Sequence, residues 1–477
     1  MMKTPSPSPS VIKILFLQCL FCLFCACNVN AQFETNYSAL AAGTEFPKDY
    51  AIDVLASSET YAASNSVLDK KVAKKYFNEV FYIKKQIFDA GEVYLPNALS
   101  LYVDSLASAL LVSEPGLRSQ IKIYLTRYNS TNAFCLADGS IFVNIGLLKV
   151  LDNESELAFV LAHEMGHYSL QHSIKDFSKT IAINEKENNT NNSFNSTFRK
   201  LRFSRESELE ADGYALSLMN NAGFDIQAST TALEKLKDKL SSEDIDIEKT
   251  FNNSFFSLDT TLHSKDVLKK AKKDIISRIQ NTADSKIDDL YETHPDLDKR
   301  IASIKELERN IRLNAKQRKP VNYSYYKTLV SFEICENNLR ELDYMNAIIN
   351  SLLLLNTYPK NNHLIGTIAK SLYWVSYYKE LSKGDLILYG DLNQNTLNFY
   401  ALYTLFDRIS LKDTKALAYA YLRSKDETFN ENEALDFYLA LSTENYLGKV
   451  AAVDFYRSYQ TKFPNGAYSS FVKNKLK

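Results

Sequence analysis

Apolar residues recur at intervals of three and four positions over residues 68–112, for example in YFNEVFYIKKQIF. That interval predicts amphipathic helices. Over residues 121–126 (IKIYLT) the pattern changes to a short apolar run with β-branched residues, which predicts a strand. Residues 132–144 (NAFCLADGSIFVN) then predict two short strands joined by a turn at Asp138-Gly139.

A helical pattern returns at Asn153, which is followed three positions later by Glu156, and this pair is a helix-start signal. We expect this helix to continue to about Lys175. Residues 184–197 are rich in asparagine and almost devoid of apolar residues, which predicts a flexible loop. Further helices are expected, in pieces, over residues 205–312.

Residues 316–320 (KQRKP) are charged and end in proline, which predicts a linker. Residues 321–477 then form one helical segment after another, rich in Leu, Tyr and Ala. Pro359 and Pro464 each close a turn after an aromatic residue. This pairing predicts helical hairpins of tetratricopeptide type, and the alternative is an irregular helical bundle.

The first thirty residues have a different character. Lys3 and Lys13 accompany an almost wholly apolar run at residues 11–27, and small residues follow up to Ala31. This order predicts a secretory signal peptide, residues 1–31, cleaved after Ala31. The alternatives are a retained N-terminal anchor and a lipoprotein carrying lipid on Cys27. We therefore expect an exported protein, periplasmic or associated with the cell envelope.

The chain has 477 residues, of which 45% are apolar and 24% charged, with a formal net charge of -1. This composition is typical of soluble globular proteins, the length suits two domains, and the charge balance argues against a nucleic-acid partner. Four of the six cysteines lie in the predicted signal peptide. We expect Cys135 and Cys335 to be buried thiols, with one interdomain disulfide as the alternative. Beyond residue 32 no apolar run is long enough for a transmembrane span in the mature chain.

The predicted helix at 153–175 contains the motif HEMGH. His163 and His167 are four residues apart and share one face of the helix, so both imidazoles can reach one zinc ion. Glu164 lies beside them, where it can take a proton from a zinc-bound water rather than bind the metal. Gly166 weakens the helix by about 1 kcal/mol relative to Ala, which suggests that another backbone approaches closely there.

A third ligand is needed to leave one zinc position open for catalysis. His172 is five residues beyond His167, which turns it away from the ligand face. The better candidate is Glu208 in SRESELEAD, with Asp212 one turn later and able to orient a ligand histidine from behind. We expect Glu206 and Glu210 to point elsewhere.

Four blocks in order, NAFCLADGSIFVNIGLL, ELAFVLAHEMGH, SRESELEADGYAL and THP before Arg300, resemble the HtpX/BepA/CAAX-prenyl-endopeptidase family of gluzincin metallopeptidases. The resemblance spans about residues 60–310. With no predicted spanning helix, the chain is similar to the soluble periplasmic branch of this family. Members of that branch often carry a tetratricopeptide domain. The resemblance implies that His163, His167 and Glu208 bind one Zn²⁺ ion. It also implies that Glu164 is the general base and that Asp212 lies behind the ligands. The segment Asn132, Ala133 and Phe134 would be an edge strand to which a substrate peptide pairs.

The resemblance also places His294 near the active site. We hypothesise that His294 lines the cleft either as a transition-state donor or as an inhibitory fourth ligand. The alternative is that it only precedes the helix that begins after Pro295.

These patterns together predict a mostly α fold with a small β-sheet. A zincin-like metallopeptidase domain at 32–315 is followed by a helical, tetratricopeptide-like domain at 321–477. The predicted function is a zinc endopeptidase acting on unfolded or misassembled extracytoplasmic polypeptides, with envelope proteins as partners of the helical domain. One alternative is a chaperone or scaffold whose zinc site is held inactive by His294. Another is a zinc hydrolase of non-peptide amides.

Overall fold

The computed structural model describes residues 31–40, 47, 50–186, 203–237, 294, 296–314, 318–319, 323–381, 397–425, 427, 429 and 432–477. Most of these residues are helical and one small sheet is present, so the predicted fold class is confirmed. The predicted signal peptide with Cys27, apart from Ala31, lies outside the described residues. So do most of the predicted loop at 184–197 and of the predicted linker at 316–320.

The described residues form helices and a small sheet up to residue 310, and those from residue 323 onward form helices alone. The first part contains α1 (Ala31–Glu34), α2 (Val54–Ser64), α3 (Lys70–Asp89), α4 (Ala98–Leu110), α5 (Pro115–Arg118), β1 (Lys122–Thr126), β2 (Ala133–Cys135), β3 (Ser140–Asn144), α6 (Ile145–Val150), α7 (Glu154–Ser169), α8 (His172–Lys186), α9 (Arg205–Ala222), α10 (Ala228–Lys237) and α11 (Leu297–Asn310). The second part contains α12 (Tyr323–Arg340), α13 (Tyr344–Thr357), α14 (Asn362–Leu381), α15 (Leu397–Arg408), α16 (Leu411–Arg423), α17 (Glu433–Leu447), α18 (Lys449–Lys462) and α19 (Ser469–Lys475).

The three strands form one sheet in the order β1-β3-β2. β1 runs parallel to β3, and β2 pairs antiparallel with β3, as the turn at Asp138-Gly139 predicted. Gly139 has a φ of 86°, a left-handed conformation that glycine adopts without steric cost. Within this sheet β2 is an edge strand.

Helix α7 lies in the centre of the first part. Every residue from Leu157 to His167 is buried, which is typical of a helix enclosed on all sides. Helices α4, α9 and α10 and strand β2 pack against it. The helix begins as predicted, with the side chain of Asn153 accepting a hydrogen bond from the Glu156 amide.

The predicted end of this helix, at about Lys175, is wrong. Helix α7 stops at Ser169, and Gln171 has a φ of 58°, so the chain changes direction before α8 starts at His172. Helix α8 then runs to Lys186, so the first three residues of the predicted loop at 184–197 are helical.

Helices α13 to α19 contribute to a second hydrophobic core, whereas α12 packs into the first. Leu329, Val330 and Phe332 of α12 lie in the same apolar cluster as the residues of α7. The tetratricopeptide-like arrangement of the later helices stays a prediction.

Helix α12 also holds the loop between β1 and β2. The Asn337 side-chain amide donates a 2.9 Å hydrogen bond to the Arg127 carbonyl oxygen. Asn129 donates to the side-chain oxygen of Asn338 at 2.6 Å. The first helix of the C-terminal part therefore fixes the segment that leads into the edge strand.

The residues that follow the predicted cleavage site also pack on α12. The ring of Phe33 lies 5.1 Å from that of Phe332, measured between centroids. The hydroxyl groups of Tyr37 and Tyr94 both donate hydrogen bonds to the buried carboxylate of Glu333, from Tyr94 at 2.9 Å. This cluster joins the N-terminal segment, the loop before α4 and helix α12.

Two further predictions concern cysteines and membrane spans. Cys135 and Cys335 are both buried and free, so the prediction of two buried thiols is confirmed. Among the described residues, no helix combines the length and apolar character needed to cross a membrane.

Candidate metal centre

Two helices supply the predicted ligands, and they touch at a glycine. A Cβ atom on Gly166 of α7 would lie 3.1 Å from the Cα atom of Ala211 in α9. Because Gly166 has no side chain, α9 approaches α7 closely enough for Glu208, one turn before Ala211, to reach His163 and His167. This is the close approach that a glycine in the middle of α7 predicted.

The candidate ligand atoms converge on one point. The Nε2 atoms of His163 and His167 are 3.0 Å apart. The carboxylate oxygens of Glu208 lie 3.5 Å from the Nε2 of His163 and 3.4 Å from that of His167. Ligands at about 2.0–2.1 Å from a tetrahedral zinc ion are separated by about 3.3 Å, so this set fits zinc.

Glu208 has the charge that a metal ligand needs. Burial by itself would raise the pKa of Glu208, but the neighbouring His294 and Arg300 outweigh burial and hold it well below its usual range. The side chain is therefore a carboxylate, the form that binds a metal ion.

Asp212 and Arg300 form a rigid pair behind the ligands. Arg300 donates two hydrogen bonds to Asp212, from Nε at 2.8 Å and from Nη2 at 2.7 Å. Its Nη1 lies 2.7 Å from Glu208. Burial opposes ionisation of Asp212, but Arg300 and His163 outweigh it and lower its pKa to about 2.

Asp212 also orients His163. Its Oδ1 lies 2.9 Å from the Nδ1 atom of His163, so the Nδ1–H group can donate to this carboxylate while Nε2 faces the ligand cluster. A carboxylate in this position fixes both the tautomer and the orientation of a metal-binding histidine.

Glu164 lies at the same site but does not join the cluster of ligand atoms. Its carboxylate is buried, and among the described residues its Oε2 atom has no hydrogen-bond partner. Burial raises the pKa of Glu164, although His294 and His163 oppose the shift. A buried oxygen without a protein partner is available to a water molecule or a proton.

His294 closes the group. Its Nδ1 lies 3.1 Å from Glu208, and its Nε2 lies 3.7 Å from Glu164. One ligand atom from each of His163, His167, Glu208 and His294 lies within 4.8 Å of the other three. His294 is buried in the site, where the resemblance placed it.

His167, the second histidine of the motif, has neighbours that the sequence did not predict. The Nδ1 atoms of His167 and His172 are 3.0 Å apart, and His172 Nε2 lies 3.1 Å from the Glu210 carboxylate. The ring of Phe203 stacks on His167 with centroids 3.7 Å apart. His172 is indeed not one of the converging ligands, but the turn at Gln171 brings it behind His167, and Glu210 points to it.

The edge strand faces this site. The main-chain carbonyl oxygen of Asn132 accepts a 3.0 Å hydrogen bond from the main-chain N–H of Asn144, and the main-chain N–H of Leu136 donates a 2.8 Å bond to the carbonyl oxygen of Ser140. Antiparallel pairing alternates, so the main-chain groups of Ala133 and Cys135 point to the free side of β2. Among the predicted residues Asn132, Ala133 and Phe134, only Ala133 has main-chain groups facing that side.

Residues 100–308, which include every residue of this site, match the sequence profile of peptidase family M48. The chain is similar to the beta-barrel assembly-enhancing protease of Yersinia pestis, with 26% identity over 207 residues, or 39% of this chain and 42% of that protein. It is similar to the mitochondrial metalloendopeptidase OMA1 of Arabidopsis thaliana, with 36% identity over 113 residues, or 22% and 23% of the two chains. It also resembles the metalloprotease YcaL of Escherichia coli, with 28% identity over 145 residues, or 28% and 56%.

The chain thus matches less than two thirds of the length of each of these relatives. The profile match, the order of the motifs and the converging side chains all indicate the same family. Residues 100–308 of this chain form a peptidase domain of family M48.

Proposed function

We propose that this protein is a zinc-dependent endopeptidase. One observation carries the proposal: two histidines and a carboxylate converge within 3.0–3.5 Å of one another beside a buried glutamate with an unpartnered oxygen. His163, His167 and Glu208 would hold one zinc ion. When bound, the zinc ion would act as a Lewis acid that polarises a peptide carbonyl and makes a water molecule more acidic.

Glu164 would then act first as general base and afterwards as general acid. Its free Oε2 takes a proton from the attacking water and afterwards gives it to the leaving amine. Its pKa, raised by burial, suits both steps, because the same group must accept and then release a proton. Asp212 and Arg300 keep His163 and Glu208 in place during the reaction.

The free edge of β2 would bind the substrate main chain. An extended peptide can add to this edge as a further strand, hydrogen-bonded to Ala133 and Cys135. Such binding does not depend on the substrate's side chains and requires an extended segment. Unfolded or misassembled proteins offer such segments, and folded proteins rarely do.

We place this activity outside the cytoplasm, in quality control of envelope proteins. The order of charged, apolar and small residues over 1–31 supports export, and lipid attachment at Cys27 is the alternative mode. The similar protein of Yersinia pestis is named a beta-barrel assembly-enhancing protease, and this name supports an envelope role. The helical domain would bind envelope partners.

A second candidate function is a chaperone or scaffold whose zinc site is held inactive. The position of His294 favours it, since its ring contacts both the ligand Glu208 and the base Glu164. The presence of Glu164 favours the peptidase, because a scaffold would not need a general base.

The decisive experiment uses purified protein loaded with zinc and an unfolded protein substrate. We expect chelator-sensitive cleavage that Glu164→Gln abolishes without loss of bound zinc. Glu206→Gln, a change at an exposed residue of α9, is the matched control and should leave cleavage unchanged. Comparison of envelope proteomes from cells carrying wild-type or Glu164→Gln protein would then identify substrates. A Glu164→Gln protein that still complements a deletion strain would support the scaffold instead.

A further inference from the structure

The ring of His167 is held from two sides by residues of other elements. Its Nδ1 atom lies 3.0 Å from the Nδ1 atom of His172, which is buried at the start of α8. The ring of Phe203 stacks on its face, with an angle of 17° between the two ring planes. These contacts leave Nε2 directed at His163 and Glu208, the other candidate ligands.

The turn at Gln171 brings His172 to this position. In an uninterrupted helix, five residues correspond to a rotation of about 500°, which would turn His172 about 140° away from His167. Helix α7 instead ends at Ser169, and Gln171 adopts a left-handed conformation with a φ of 58°. Residues other than glycine adopt this conformation uncommonly, and such residues cluster at functional sites. The turn therefore supports a functional reason for the position of His172.

The protons of the two rings have one possible arrangement if His167 binds zinc. Its Nε2 must then offer a lone pair, so the neutral ring carries its proton on Nδ1 and donates it to His172. The Nδ1 atom of His172 must accept this hydrogen bond, which places the proton of the second ring on Nε2. That Nε2 lies 3.1 Å from the carboxylate of Glu210, which accepts the bond.

Glu210 selects the tautomer of His172 that His167 requires. A metal-binding histidine usually donates its other N–H to a carboxylate, a backbone carbonyl oxygen or a water molecule. The acceptor here is a ring nitrogen, and a neutral imidazole accepts at Nδ1 in only one of its two tautomers. In the other tautomer two Nδ1–H groups would face each other, and the ring of His167 would lose its acceptor.

Helix α8 also holds the start of α9, the helix that carries Glu210. Asp176, one turn after His172, is buried. It accepts hydrogen bonds from the main-chain N–H of Ser204 at 3.1 Å and from the hydroxyl of Ser207 at 2.8 Å. Although the side chain of Glu210 is 64% exposed, the backbone that carries it is therefore fixed relative to His172.

We propose that His172 is a positioning residue of the metal site and that Glu210 makes it a hydrogen-bond acceptor. The Nδ1–H of His167 donates to Nδ1 of His172, and the Nε2–H of His172 donates to Glu210. This chain holds the ring of His167 as Asp212 holds that of His163. The inference rests on the proposed zinc peptidase function and adds two residues to its metal site.

Two substitutions of His172 separate its role as an acceptor from its packing. His172→Leu fills the space of the ring but offers no acceptor, whereas His172→Asn fills less space and keeps an oxygen acceptor near the position of Nδ1. The readout is the zinc affinity of the metal-free protein, measured by competition with a chelating dye. We expect His172→Leu to weaken this affinity by about 10–100-fold and His172→Asn to retain most of it.

Visible absorption of the Co²⁺-loaded protein gives a signature that a loss of stability alone would not change. At saturating Co²⁺ we expect His172→Leu to shift the absorption bands, because they report the geometry of the ligands. His363→Leu is the matched control. His363 also lies near a glutamate, 3.2 Å from Glu336, but it belongs to α14, which supplies none of the candidate ligands. This control should change neither the zinc affinity nor the spectrum.

Glu210→Ala tests the second hydrogen bond of the chain, at an exposed position where folding is not at risk. We expect it to weaken zinc binding by a smaller factor than His172→Leu, because His172 keeps the required tautomer for part of the time. Glu206→Ala removes the same charge one turn earlier on α9 and should leave zinc affinity unchanged. If His172→Leu does not fold, this pair of variants still tests the proposal.

Unchanged zinc affinity and an unchanged cobalt spectrum in His172→Leu would overturn this role and leave the proposed function standing. Weaker zinc binding by His172→Asn than by His172→Leu would also overturn it, because packing rather than an acceptor would then decide the affinity. Equal affinities of Glu210→Ala and Glu206→Ala would remove Glu210 from the chain. If the wild-type protein binds no zinc, the proposed function fails and this inference with it.

Discussion

Gly166 and Ala211 are the residues at which the two ligand-bearing helices touch. A Cβ atom on Gly166 would lie 3.1 Å from the Ala211 Cα and 3.2 Å from its carbonyl oxygen. The distance between α7 and α9, and therefore the position of Glu208 relative to the histidines, depends on this contact.

Gly166→Ala should accordingly weaken zinc binding. The gain in helix propensity, about 1 kcal/mol, is offset by overpacking of about 1–3 kcal/mol, so we expect a net loss of about 1 kcal/mol in unfolding free energy. Gly213→Ala on α9 is the matched control, because a Cβ there meets no atom within 4 Å, and it should stabilise the protein. Zinc titration and chemical denaturation would measure both effects. An equal gain in stability for the two variants would contradict the close contact.

Arg300→Met should destabilise the metal-free protein more than the zinc-loaded protein. Arg300 neutralises the buried carboxylates of Asp212 and Glu208, and removing one partner from a buried ion pair costs about 3–5 kcal/mol. A bound zinc ion would supply positive charge to the same group, so we expect a smaller loss when zinc is present. Thermal denaturation with chelator and with zinc would measure the difference.

The control for Arg300→Met is Arg340→Met, which removes a partly exposed pair with Glu92. Such pairs contribute about 0–1 kcal/mol, and we expect no dependence on zinc there. The same loss for Arg300→Met with and without zinc would show that the metal does not share these carboxylates.

His294→Ala should increase peptide hydrolysis severalfold. In the present conformation His294 contacts both the ligand Glu208 and the base Glu164, so its removal opens the site. Initial rates on a quenched peptide, with zinc content measured in parallel, would test this. A decrease at full zinc occupancy would indicate the transition-state donor role, and an unchanged rate would count against both roles.

Alkaline pH should loosen the cluster around Glu333. Burial, followed by the charge of Glu333, raises the pKa of Tyr37 far above its usual value, so the folded protein keeps this hydroxyl protonated. In the unfolded chain the hydroxyl of Tyr37 ionises at about pH 10. The stabilisation that its protonated form gives the folded protein is therefore complete below pH 10 and is lost as the pH rises further.

Tyr37→Phe should lower the unfolding free energy at pH 7 by about 1–2 kcal/mol and reduce its decline above pH 10. Tyr82→Phe, at a tyrosine that is 46% exposed, should change neither quantity. Denaturant titrations at pH 7 to 11 would measure both. An identical pH dependence for the wild-type protein and Tyr37→Phe would contradict a role for this hydroxyl.

Local patterns predicted most of the first part of the fold. The turn at Asp138-Gly139, the cap at Asn153 and the alternation of apolar residues act over a few residues, so they are readable along the chain. The end of α7 was not readable, because Gln171 is an ordinary helix-forming residue that here adopts a left-handed conformation. The packing of α12 into the first core was equally inaccessible, since it depends on contacts between distant residues.

The sequence by itself determined the chemistry of the site: a histidine pair four residues apart, the glutamate between them and a second acidic helix that supplies Glu208. These features depend on the period of the α-helix, which is the same in every protein. Only the tertiary structure decided that Arg300 neutralises Glu208 and Asp212 and that His172 lies behind His167. Each of these relationships joins side chains from separate elements, and their distances follow from how the helices pack rather than from any spacing along the chain.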